Sequence, residues 1–106
     1  MLTLLSDEKY AQAIAQTPQG VLIGFKKLCP HCKNMEKVLE KCADRLPGAV
    51  FMGLDTEENP DACGRLGIGR VPTLLIIKQG AITAKMAGLM NPKEFCAFYQ
   101  QSMRTA

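Results

Sequence analysis

The sequence predicts an α/β protein, a three-layer α/β/α sandwich about a mixed sheet of four to five strands. Three observations point to it. Residues 21–25, 50–54 and 73–77 are short runs that are apolar almost throughout, as strands covered on both faces are. Between the strand-like runs lie stretches with apolar residues at spacings of three and four, the period of a helix with one buried face. The chain closes with a hairpin pattern and a last helix, giving the order βαβαβαββα, in which helical crossovers bring parallel strands side by side.

The elements follow in order. Residues 2–5 form a short apolar strand, and Ser6, Asp7 and Glu8 read as an N-cap and first turn of a helix reaching Gln16. Ala11, Ile14 and Ala15 would be its narrow apolar face. Thr17-Pro18-Gln19-Gly20 breaks the chain before the strand at 21–25. A second helix runs to Asp44, with Cys32, Met35, Val38, Leu39, Cys42 and Leu46 as its stripe. Pro47-Gly48 ends that region, and the strand at 50–54 follows. Asn59 and Pro60 supply an N-cap and a first helical residue for a short helix to Leu66. A glycine-rich loop, Gly67-Ile68-Gly69-Arg70, leads through Val71-Pro72 to the strand at 73–77. Lys78-Gln79-Gly80 turns the chain into an edge strand at 82–87, an antiparallel hairpin. Asn91, Pro92 and Glu94 open a last helix with the face Phe95, Phe98, Tyr99 and Ser102.

The chemistry concentrates where the strand at 21–25 gives way to the second helix. Cys29-Pro30-His31-Cys32 places two thiols, two residues apart, at that junction, which reads as a redox motif. With Cys29 as N-cap, Pro30 falls at the first helical position, where its missing N–H is harmless. The N–H groups of His31 and Cys32 then lack helical partners and, with the helix dipole, favour a thiolate at Cys29. His31, Lys26, Lys27 and Lys33 add positive charge, and no carboxylate lies between Gly20 and Met35 in the sequence. Cys32, on the core-facing stripe, is expected to be a buried thiol. One sulfur is thus suited to attack and the other to resolve.

The whole chain bounds the remaining choices. Its 106 residues suit one domain, 1–106, able to bury about two-thirds of its extended surface without a disulfide or a structural metal. A net charge of +3, with Lys and Arg scattered and no basic run, argues against a nucleic-acid partner. Zinc needs about four ligands, and Cys42, Cys63 and Cys96 are isolated from one another in the sequence. Residues 2–5 have no basic region before them and no cleavage site after them, so neither a signal peptide nor a membrane span is expected. Five cysteines, an odd number, suit a reducing, cytoplasmic setting. Cys42 reads as core, and Cys63 and Cys96 read either as surface thiols open to glutathionylation or a second redox step or, being isolated, as inert.

The residues quoted make the chain resemble a thioredoxin from its first strand to its last helix. The likeness rests on Val21-Leu22-Ile23-Gly24-Phe25 before Cys29-Pro30-His31-Cys32-Lys33, on 59–60 through 67–68, on Val71-Pro72-Thr73-Leu74-Leu75, on 78–80 and on Gly88. It implies a cis bond before Pro72, with Pro72 beside the cysteine pair, and a substrate groove rimmed by Leu28, Arg70, Val71, Gly88 and Leu89. An extended substrate would bind there by main-chain hydrogen bonds. It further implies a Cys29–Cys32 disulfide as the redox group, no bound cofactor, protein disulfides as substrates, re-reduction by a thioredoxin-reductase-like flavoprotein, and a monomer.

Three departures accompany the likeness. Leu28 and Pro30-His31 replace the family's usual tryptophan and Gly-Pro, and Pro-His resembles the pair of bacterial periplasmic disulfide oxidases. The family's buried aspartate and its lysine partner fall at Gly24 and Phe51, and the segment before Cys29 is one residue short. The expected activity is protein-disulfide reduction. Two alternatives stay open: a glutathione-dependent, glutaredoxin-like enzyme, and a redox-inert peptide-binding module of the same fold.

Overall fold

The computed structural model describes residues 2–104. Its strands are β1 (Thr3–Leu4), β2 (Gln19–Phe25), β3 (Val50–Asp55), β4 (Thr73–Lys78) and β5 (Ala81–Ala87). Its helices are α1 (Tyr10–Ala15), α2 (Pro30–Ala43), α3 (Pro60–Leu66) and α4 (Pro92–Arg104). The expected element order is reproduced. The sheet runs β1-β3-β2-β4-β5, with β1, β3 and β2 parallel and β4 antiparallel to both β2 and β5.

β2 is central, and its register shows why it is apolar on both faces: Leu22 lies between Met52 of β3 and Leu75 of β4. Alternate residues then serve different layers. Val21 and Ile23 join Met35, Leu39, Cys42, Phe95 and Tyr99 in one core beneath α2 and α4. Leu22 joins Ile14, Leu54, Ala62, Cys63 and Leu75 in the other, beneath α1 and α3. A one-residue slip of β2 would exchange the two sets, so burial on both faces specifies the register.

The hairpin turns through Gln79 and Gly80, with φ of 52° and 78°, the two positive values that a two-residue type I′ turn requires. Gly80 is constrained a second way, since a Cβ there would lie 2.6 Å from the carbonyl oxygen of Ala15. At the start of α4 the expected capping box is formed. Glu94 N–H donates to Asn91 Oδ1 at 2.8 Å, and Asn91 N–H donates to Glu94 Oε1 at 3.0 Å.

The first helix differs from expectation. It starts at Tyr10, with Lys9 at the cap and no side-chain capping bond, and its buried face is Ile14 flanked by Tyr10 and Ala13; Ala11 and Ala15 are exposed. Asp7, read as part of this helix, serves another. Its Oδ1 accepts the N–H of Ala62 at 2.8 Å, at the third position of α3. Asn59 occupies the N-cap position of α3 without capping it; its amide donates to Asp55 O and its oxygen accepts from Asp7 N–H. An anion from 55 residues away thus satisfies the orphan donor that the local residue leaves open.

Candidate functional site

The site lies where three chain segments leave the same end of the sheet. Gly24 on β2 is paired with Thr73 on β4, and Thr73 with Ala87 on β5. Residues 26–29 therefore continue from β2 at the end where residues 70–72 enter β4 and residues 88–89 leave β5. The peptide bond between Val71 and Pro72 is cis, and Gly88 N–H donates to Pro72 O at 2.8 Å. Gly88 has φ of 105°, a backbone conformation that suits glycine. The Thr73 hydroxyl donates to Arg70 O, holding the loop ahead of the proline.

Cys29 is the N-cap of α2, in extended conformation, and Pro30 is the first helical residue. Its sulfur accepts the N–H of Cys32 at 3.2 Å, so an orphan donor of the helix points at the half-buried thiol. Cys32 is 3% exposed. Burial pushes its thiol up to about 11, with its hydrogen bond to Cys29 a second cause in the same direction. Lys26 opposes that rise through its backbone N–H and its charge. The two sulfurs are inequivalent: one is half-buried at a helix N-terminus, the other buried behind it and held protonated.

The surroundings refine the reading of charge. Lys27 does not stand unopposed, because Glu58 from the loop after β3 lies 3.0 Å from its Nζ and raises its pKa. Lys26, next to these charges in the chain, opposes the rise at Cys32 as well. A cavity of about 230 Å³ lies beside Cys32, lined by Leu2, Ile23, Phe25, Lys26, Lys33 and Glu36 among others. Glu36, one helical turn after Cys32, brings a carboxylate to this cavity. His31 is exposed.

Leu28 is 94% exposed and shares a hollow with Cys29, Pro30 and Lys33. Arg70 lines a separate hollow with Gly67, Gly69, Thr73, Lys85 and Ala87. Pro72 is buried, Val71 and Gly88 are half-buried, and Leu89 is exposed. Gly24 is buried, and a Cβ added to it would lie 2.9 Å from Ile68 Cγ2. Hydrocarbon therefore occupies the place where the resemblance puts a carboxylate. Phe51, at the position of the lysine partner, is packed in the core. Among the described residues, no group of three or more His, Cys, Asp or Glu is placed to hold a metal ion, and no helix is long and apolar enough to cross a membrane.

An accessible sulfur at a helix N-terminus, a buried sulfur three residues on, and a cis-proline at the same sheet end define the class of thiol–disulfide exchange proteins. The comparisons with known proteins agree. The Thioredoxin family profile matches residues 1–101. The thioredoxin of Chlorobaculum thiosulfatiphilum is 34% identical over 94 residues, covering 87% of this chain and 86% of that one. Thioredoxin-1 of Saccharomyces cerevisiae is 33% identical over 84 residues, covering 79% and 81%. Among solved structures, the reduced form of desulfothioredoxin from Desulfovibrio vulgaris Hildenborough superposes with a TM-score of 0.84 at 36% identity, covering 94% of this chain and 96% of that one. The chain belongs to the thioredoxin family of thiol–disulfide oxidoreductases.

Proposed function

We propose that this protein reduces disulfides in other proteins through Cys29 and Cys32, as a monomer in the cytoplasm, and is returned to its dithiol form by a thioredoxin-reductase-like flavoprotein. The observation that carries the reading is the 3.2 Å hydrogen bond from Cys32 N–H to Cys29 Sγ at the start of α2. It stabilises negative charge on the sulfur that substrate can reach. The Cys29 thiolate attacks one sulfur of a substrate disulfide; that S–S bond breaks, and the departing substrate thiolate takes a proton. Cys32 loses its proton and attacks Cys29, expelling the second substrate sulfur. Two electrons have passed to the substrate, and Cys29–Cys32 is oxidised.

Leu28 and Leu89 offer exposed apolar surface, and the main chain at Val71 is the partner for an extended substrate segment. Pro30 sets the helix start, and His31 presents an exposed imidazole beside it. Stabilising the Cys29 thiolate favours the dithiol form, which makes the disulfide more oxidising, at about 30 mV for each 1.4 kcal/mol.

Turnover of a protein disulfide with reductase and its nicotinamide cofactor, without glutathione, is the test. Wild type should turn over, C29S should be inactive, and C32S should accumulate a mixed disulfide through Cys29. Dependence on glutathione would assign the glutaredoxin-like alternative, and no turnover by wild type, with peptide binding unchanged in both variants, would assign a redox-inert module.

A further inference from the structure

Away from this site, the fold brings two more sulfurs into contact. Cys42 lies in the last turn of α2 and Cys96 in the second turn of α4, 54 residues on, with Sγ to Sγ of 3.1 Å. A disulfide is about 2.05 Å long, so an approach of roughly 1 Å would close the bond. The two thiols differ in access. Cys42 is 1% exposed and donates to Pro92 O at 3.5 Å; Cys96 is half-buried and donates to Cys42. Ten helical residues, about 15 Å, separate Cys42 from Cys32. The pairs at the two ends of α2 are therefore too far apart to exchange within one folded chain.

We propose that Cys42 and Cys96 form a second, reversible disulfide that staples α2 to α4, with hydrogen peroxide as oxidant. Cys96, the thiol that solvent reaches, attacks the peroxide. The O–O bond breaks, one water leaves, and Cys96 becomes a sulfenic acid. The sulfur of Cys42 then attacks that of Cys96; the S–O bond breaks, the S–S bond forms, and a second water leaves. The two thiols lose two electrons and two protons, and the peroxide becomes two waters. Burial, with the hydrogen bond to Cys96 as a second cause, pushes Cys42 up to about 12 and suits it to the second step only. Two electrons from a dithiol restore both cysteines.

The staple acts close to the candidate site. Residues 88–91 join β5 to α4, and Met90 N–H donates to Met35 Sδ on α2 at 3.5 Å. Closing the disulfide fastens the far end of that connection to the same helix that begins at Cys29.

The C29S/C32S chain separates this proposal from the reading of the first pair, because only Cys42, Cys63 and Cys96 then remain as thiols. After stoichiometric hydrogen peroxide and alkylation of the denatured chain, two of those three should be unavailable. Trypsin should release residues 42–45 linked to residues 94–104 from a monomeric chain. The melting temperature should rise by about 10 °C or more, since the bond closes a long loop, and dithiothreitol should reverse the rise. Adding C96S, at a half-buried position, should abolish both the linked peptide and the shift. Three free thiols after peroxide, a bond involving Cys63, cross-linked dimers through Cys96, or a shift that persists in the C96S chain would each overturn it.

Discussion

Raising the pH should speed the second half of the proposed cycle far more than the first. Cys32 is the resolving thiol, held at about 11 against an ordinary 9.0, by burial first and then by Cys29. That rise corresponds to roughly 3 kcal/mol against the thiolate. Below pH 9.0 the reactive fraction of Cys32 is then about a hundredfold smaller than for an ordinary thiol. A more basic thiolate is a better nucleophile, and a Brønsted coefficient near 0.45 returns about eightfold. Net attack is roughly tenfold slower, and it should climb about tenfold per pH unit from neutrality. In the mixed disulfide Cys29 no longer carries a thiol, so burial, the larger cause, remains, and the plateau falls between 9.0 and about 11. Stopped-flow reaction of the reduced protein with excess aryl disulfide separates the steps. The first thiol release depends on disulfide concentration; the second reports Cys32 alone. Lys26→Gln, which removes the charge that opposes the rise, should slow the second phase and move its inflection upward. A second phase that is flat with pH below about 9, or unchanged in K26Q, would refute the reasoning.

Three further outcomes are expected. Asp7→Ala should lower stability by about 1 kcal/mol, because Asp7 is the side chain that caps α3; an unchanged urea midpoint would disprove that role. Gly24→Asp should destabilise by about 2 kcal/mol or more against Ile68, whereas G24D/I68A should recover part of that loss and speed the second thiol release at neutral pH by at least about tenfold. No acceleration in the double variant would show that a carboxylate at this position does not serve Cys32. The reduced protein should also lose stability in alkali. Burial holds Cys32, Cys42 and Cys63 above 9.0, so their contribution is complete below that pH and declines as pH rises towards about 11 and 12. The slope is up to about 1.4 kcal/mol per pH unit for each thiol, and equal urea midpoints at about pH 8 and pH 10 would contradict it.

Whatever depends on neighbours within a helical turn or along one strand is legible in the order of the residues. The apolar runs of β2, β3 and β4, the stripe of α2, the capping box of Asn91 and Glu94 and the helix start beneath Cys29 are all of this kind. Each is decided by groups a few residues apart whose hydrogen bonds or burial period can be read from spacing. Which distant groups meet is set by the packing of the folded chain. Asp7 caps α3, Glu58 lies against Lys27, Ile68 fills the space beside Gly24, and Cys42 touches Cys96. Those contacts depend on strand register and on how helices lie across the sheet. A single residue carries no mark of the partner that packing brings to it from tens of positions away.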